Sequence, residues 1–356
     1  MIIIDMHLDL AMNALGWNRD LKLPVAEMRR LEEGMPEKGR AASMVALPEL
    51  RQAKVAVASA TLNARVMRPN SPVSGYRDHD IAYGAAQGQL AYYRQLAAQG
   101  NVTIITSRQE LDRHVEAWQA AEQTGTAPPP LGIIISMEGA DAIVSPEQVP
   151  QWWGDGLRIV SLVHYGVSKY AHGTGTHGPL TDDGRRLLRE LERAGMILDV
   201  THLCDESFYE AMDLFGGPVL ASHQNCRALV PGERQFTDDQ LRRVIARDGV
   251  IGVAMDAWML YPGWIKGVTK NELVSLQAWV DHVDHICQLA GDARHVGVGT
   301  DLDGGYGYEQ CPHDLESIAD LQKLPGLLAA RGYREEDIQA IMYGNWLRFL
   351  RHAWTR

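Results

Sequence analysis

Eight short apolar runs, rich in β-branched residues and separated by longer amphipathic or charged stretches, constrain this chain more than any other feature. They fall at 2–5, 54–61, 132–138, 157–164, 196–202, 218–223, 249–254 and 295–301. A short apolar run followed by a helical stretch is the signature of a βα unit, and its repetition from end to end implies a parallel sheet with helices covering it. Eight such units close naturally into a (β/α)8 TIM barrel of the metal-dependent hydrolase type, a fold that commonly spans roughly 250 to 400 residues as one domain. The 356 residues are therefore expected to form a single barrel domain. The alternation is weakest at residues 11–49, where strand signals are few and Pro and Gly recur, so this stretch is read as an insertion near the barrel mouth.

Composition narrows the function classes. The chain is 46% hydrophobic, has a formal net charge of -11 and contains no basic run, which argues against nucleic acid as a partner. Cys204, Cys226, Cys287 and Cys311 show no C-x-x-C spacing and are expected to be reduced thiols. The apolar stretch at residues 1–5 is too short for a secretory signal, and no stretch is long enough to span a membrane, so a cytoplasmic location and no membrane partner are expected.

The chemistry lies where the runs end. Six of the eight finish in, or lead into, a residue able to bind a metal or a proton: His7 and Asp9, Glu138, His164, His202, His223 and Asp301. In a barrel of this type the C-terminal ends of the strands converge on one cavity, so residues distant in sequence meet there. Any one of these histidines taken alone is better read as a packing residue; the joint pattern carries the inference. His7 and Asp9 are two apart on an extended segment and point the same way. Imidazole with carboxylate and no thiolate suits zinc or another borderline divalent ion. Five ligands serve two ions if one carboxylate is shared. His7, Asp9 and Glu138 would hold one Zn2+ and Glu138, His202 and His223 the other, with Glu138 as the bridge. Two such ions can share a hydroxide and polarise a scissile carbonyl, which is hydrolytic chemistry.

Read with their neighbours, these residues resemble the renal (membrane) dipeptidase family of zinc dipeptidases. The resemblance runs through Asp5-Met-His-Leu-Asp9, Ser136-Met-Glu-Gly139, Gly195-Met-Ile-Leu-Asp-Val-Thr-His202, Pro218-Val-Leu-Ala-Ser-His223, Val296-Gly-Val-Gly-Thr-Asp-Leu-Asp-Gly304 and Gly344-Asn-Trp-Leu-Arg348, in order along the whole chain. It implies hydrolysis of small dipeptides, including those with a C-terminal D-residue, and a homodimer. It also implies that His164 contacts the substrate carbonyl oxygen and stabilises the tetrahedral intermediate, and that Arg234 receives the substrate carboxylate. Asp301 would move the proton from the attacking water to the leaving amine.

Departures at Leu8 and at Tyr170-Ala171-His172 motivate a second reading, an amidohydrolase of the same scaffold acting on N-acyl amino acids or cyclic amides. A non-catalytic metal-binding scaffold is the weakest alternative, because every position assigned to chemistry holds a suitable residue. Asp199 and Asp303 are read as structural, and His282 and His285, three apart on one helix, as packing or surface residues.

Overall fold

A computed structural model describes residues 1–68 and 74–355. Its sheet contains β1 (Ile3–Leu8), β2 (Val55–Leu62), β3 (Val102–Ile104), β4 (Leu131–Met137), β5 (Leu157–Ser161), β6 (Ile197–Asp199), β7 (Val219–Leu220), β8 (Ile251–Val253) and β9 (Val296–Val298). All of the pairings within it are parallel. Eight of the strands run in the order β7-β6-β5-β4-β2-β1-β9-β8. A parallel bridge between Ala221 and Ile251 joins the two ends of that row, so the eight form a nearly closed barrel with helices between the strands.

The eight runs read from the sequence each overlap one barrel strand. The ninth strand, β3, was not among them. It pairs with the first half of β4, from Leu131 to Ile133, while β5 pairs with the second half from Ile135 onward. β3 thus fills the position below β5, where the barrel wall would otherwise be short.

Four of the strands stop three residues earlier than their apolar runs suggest. His164, His202, His223 and Asp301 each lie three residues beyond the last residue of β5, β6, β7 and β9, respectively. At His202 and Asp301 the backbone turns into the left-handed region, with φ of 69° and 58°, which no strand accommodates. Lys54 has φ of 56° and ends the preceding turn, so β2 starts one residue later than its run.

Small buried polar side chains stack beneath the strand ends. Ser59 and Ser136 hydrogen-bond at 2.8 Å, Gly139 N donates to Ser161 Oγ at 2.9 Å, and Thr300 Oγ1 donates to Asp5 at 2.6 Å. Asp199 accepts from the amides of Thr201 and Ser222 and from Ser222 Oγ, the structural role expected of it. Buried polar groups satisfied this way form a rigid floor.

Residues 11–49 carry two short helices, Val25–Leu31 and the start of Leu47–Gln52, after most of the helix Leu10–Gly16. Their interior is ionic. Arg19 makes a two-pronged pair with Glu32 at 2.8 and 2.9 Å, and Arg40 reaches the same carboxylate at 2.9 Å. Asn13 and Asp303 tie this segment to the turn after β9: Asn13 Nδ2 donates to Asp303 O, and Asp303 accepts from the amides of Met44 and Val45. Asp303 is therefore a turn residue. His282 and His285 are also structural, His282 Nδ1 accepting from Cys226 N at 3.0 Å and His285 bonding Asp238 at 2.8 Å. All four cysteines are free. Among the described residues no helix is long and apolar enough to cross a membrane.

Candidate active site

The loops at the C-terminal ends of the strands enclose a cavity of about 950 Å³. Asp9, Glu138, His164, His202, Arg234 and Asp301 line it, and His7 and His223 are buried directly behind. All eight residues singled out in the sequence are thus brought to one place.

Glu138 is the centre of the cluster. Its Oε1 lies 3.5 Å from His7 Nε2, 3.6 Å from His164 Nε2, 3.4 Å from His202 Nε2 and 3.3 Å from His223 Nε2. His202 and His223 approach each other at 3.3 Å through the same nitrogens, closing a triangle with Glu138. On the other side, potential ligand atoms of His7, Asp9 and Asp301 gather within 4.8 Å of one another. His7 therefore stands between the two halves, 3.5 Å from Glu138 and 3.7 Å from Asp301.

The remaining ring nitrogens are fixed from outside. His202 Nδ1 meets Thr174 Oγ1 at 2.9 Å, and His223 Nδ1 meets Ser222 Oγ at 2.8 Å, itself held by Asp199. Such outer partners aim the free Nε2 atoms inward. Thr61 hydrogen-bonds Asp9, and Asn63 Nδ2 donates to Glu138 Oε2 at 2.7 Å.

This arrangement is costly by itself. Burial, reinforced by Asp9, pushes the Glu138 carboxyl well above its usual range, and burial with Glu138 and Asp9 does the same to Asp301. Burial holds the imidazoles of His7, His164, His202 and His223 below theirs. Carboxylates and neutral imidazoles packed together are what divalent cations reward. His7 Nε2 is buried without a hydrogen-bond partner, and the donor set contains only imidazole and carboxylate, so the residues fit a pair of borderline divalent ions.

Arg234 is buried against the loop after β7. Its guanidinium donates to Gln224 Oε1 at 2.8 Å and to His223 O at 2.9 Å, which orients it toward the cavity. Among the described residues it pairs with no carboxylate.

Arg65, Asn63 and Lys266 were not anticipated from the sequence. Arg65 Nη1 approaches His164 Nδ1 at 2.5 Å and also donates to Asn63 Oδ1 at 3.2 Å. Because a guanidinium only donates, His164 Nδ1 accepts and its proton sits on Nε2, facing Glu138 and the cavity. Arg65 lies three residues beyond β2, the offset also found at His164, His202, His223 and Asp301, but an arginine is not a metal ligand and its partner is 99 positions away in sequence. The departures noted in the sequence lie elsewhere. Leu8 is in the core, Tyr170 and Ala171 are buried, and His172 bonds Pro179 O; none is among the described residues lining the cavity.

The geometry agrees with the comparisons to known proteins. Residues 1–355 match the family described as membrane dipeptidase, peptidase family M19. Dipeptidase tcpJ of Claviceps purpurea is 32% identical over 205 residues, covering 56% of this chain and 45% of that protein. An uncharacterized dipeptidase of Schizosaccharomyces pombe is 31% identical over 220 residues, 60% of this chain and 51% of its own. The aligned chain thus spans about half the length of these two curated relatives. Among solved structures, dipeptidase AC superposes with a TM-score of 0.78 at 22% identity, covering 100% of this chain and 99% of that one. A metallopeptidase from Rhodobacter sphaeroides, bound to a phosphinate mimic of L-Ala-D-Ala, also gives 0.78 at 22% identity, covering 99% of each chain. Both share the barrel. On the full-length family match, this chain belongs to the membrane dipeptidase family, peptidase family M19.

Proposed function

We propose that this chain is a zinc-dependent dipeptidase that hydrolyses the amide bond of small dipeptides, including those with a C-terminal D-residue. The observation that carries the reading is the meeting, in one cavity, of the Glu138-centred histidine cluster and a buried arginine that has no acidic partner among the described residues. His7, Asp9 and Glu138 would hold one Zn2+ and Glu138, His202 and His223 the second. Bound there, the pair would lower the pKa of a water it shares and polarise the scissile carbonyl.

The chain's own residues supply the rest. Arg234 presents a forked donor to the substrate carboxylate, fixing the peptide so that its amide lies over the cluster. His164, with its proton on Nε2, donates to the carbonyl oxygen as that oxygen gains negative charge. Asp301 accepts a proton from the attacking water and delivers it to the leaving amine nitrogen. Leu8 and residues 170–172 are not among the described residues lining the cavity, which weakens the motive for preferring acylated amino acids or cyclic amides.

Purified protein loaded with zinc should release amino acids from a panel of L,L and L,D dipeptides. Chelation should abolish that release and zinc should restore it, with metal analysis giving two ions per chain. Faster turnover of N-acyl amino acids than of any dipeptide would overturn the reading in favour of the other amide hydrolase, and no amine release would overturn both.

A further inference from the structure

We propose that the preferred substrates carry a second carboxylate on a side chain, received by Lys38 and Lys266 on the outer wall of the cavity. This rests on the dipeptidase reading and narrows its substrate class to acidic dipeptides.

Four cationic side chains border the cavity: Lys38, Arg65, Arg234 and Lys266. Among the described residues none of them lies in ion-pair range of a carboxylate. Elsewhere many cations are paired, as Arg19 with Glu32 and Arg227 with Asp205, while others, such as Arg158 and Arg247, bond backbone carbonyls. Two of the four are committed within the site, Arg65 to His164 and Arg234 to the α-carboxylate. The two lysines have no such task.

They are nonetheless held in place. Lys38 Nζ donates to Gln310 Oε1 at 2.8 Å, and Gln310 Nε2 donates to Asp256 Oδ1 at 2.7 Å. The amide of Trp258 donates to the same Asp256 oxygen at 3.2 Å, and Lys266 Nζ stands 4.2 Å from the centre of the Trp258 ring. Gln310 and Asp256 are both buried. A single chain of contacts thus sets two ammonium groups, 228 positions apart in sequence, on one wall. Both lysines are exposed, but desolvation by the neighbouring wall holds the Lys266 ammonium below the ordinary lysine range; Asp256 opposes this, while Lys38 adds to it. An incoming carboxylate would offset both the lost hydration and the repulsion between the lysines.

Charge balance points the same way. Two divalent ions would outweigh Asp9, Glu138 and Asp301, and Asp256 answers only one lysine. A zwitterionic dipeptide with neutral side chains would leave the cavity strongly positive. A side-chain carboxylate reduces that excess, and the field would also draw it in from solution.

The test compares kcat/KM of the zinc enzyme on matched pairs, Ala-Glu against Ala-Gln and Glu-Ala against Gln-Ala, each as L,L and L,D isomers. At least one glutamate member should exceed its amide partner by roughly tenfold to a hundredfold, the range of a charge-assisted hydrogen bond. In a Lys38→Met/Lys266→Met double variant that ratio should fall to near one. Lys270→Met removes a positive charge from the same segment outside the cavity and should leave the ratio as it was. A ratio near one in every pair, a ratio that survives the double variant, or an equal fall with Lys270→Met would overturn the proposal. Hydrolysis without acid preference overturns this proposal alone, whereas no hydrolysis of any dipeptide overturns the dipeptidase reading and this one with it.

Discussion

Asp301 sits in the left-handed region, which costs most side chains on the order of 1–3 kcal/mol but which Asp and Asn tolerate. Gly304 is required beside it, because a Cβ there would stand 2.1 Å from Asp301 Oδ1. Asp301→Asn therefore keeps the backbone and removes only the carboxylate proposed to accept the proton. Metal content should be unchanged while kcat falls by roughly 10²–10⁴, the usual worth of a positioned acid or base; metal analysis beside steady-state kinetics checks both, and undiminished kcat would remove Asp301 from the mechanism. Arg65 acts one step further back. Arg65→Met frees His164 to place its proton on Nδ1, away from the carbonyl oxygen, so kcat should drop about tenfold or more with KM little changed. Arg65→Lys, which still donates, should recover part of that loss. A rise in KM with kcat intact would instead make Arg65 a substrate-binding group.

At the scale of elements, legibility followed burial and periodicity. The barrel strands were readable because their apolar runs are buried on both sides and bounded by polar residues at the mouth. β3 was not, because it has three residues, only one of them buried, and borrows its stability from β4. The metal-type residues were readable because four of them follow their strands at the same offset of three. Arg65 shares that offset after β2 but is not a metal-binding residue type, and Lys266 belongs to a loop, where position is set by distant partners rather than by repeat. The segment 11–49 is a similar case: it read as an insertion near the mouth, with nothing in its spacing to mark the buried Arg19 and Glu32. Trp17 lies 4.5 Å from the Arg19 guanidinium and 5.3 Å from that of Arg40, and its ring packs so closely on Gly39 that a Cβ there would approach within 2.7 Å. Glu32→Ala leaves Arg40 without its acid and, among the described residues, leaves Arg19 with Asp303 alone at 3.5 Å. The expected cost is about 3–5 kcal/mol, as for breaking other buried pairs. Because Met12, Leu15, Trp17 and Lys38 of this segment line the cavity, KM should rise as well. Urea denaturation and KM measured together check this; an unchanged urea midpoint would show that the pair contributes little.

For the whole molecule, the acid limit of stability has a contributor far from the metal centre. His282 is 1% exposed on the helix Leu276–Ala290, and its Nδ1 accepts from the amide of Cys226. Burial, with the neighbouring His285, lowers its pKa from 6.5 to about 3, and Asp281 only partly opposes this. The folded protein therefore keeps His282 neutral where the unfolded chain has already protonated it. Above pH 6.5 neither state binds the proton and the group adds no pH dependence. Below that value the unfolded chain gains the proton first, so stability falls by about 1.4 kcal/mol per pH unit until the folded pKa is reached. His282→Asn retains an acceptor near the Nδ1 position and cannot titrate. It should be the less stable protein at pH 7.5, where a smaller side chain leaves space in the core. The gap should then close by about 1.4 kcal/mol per unit as the pH drops from 6 to 5. Since both proteins carry the same metal centre, acid release of metal affects them alike and cancels in the difference. Urea midpoints of the pair across that range check the slope, and parallel profiles would place the acid lability of this fold elsewhere.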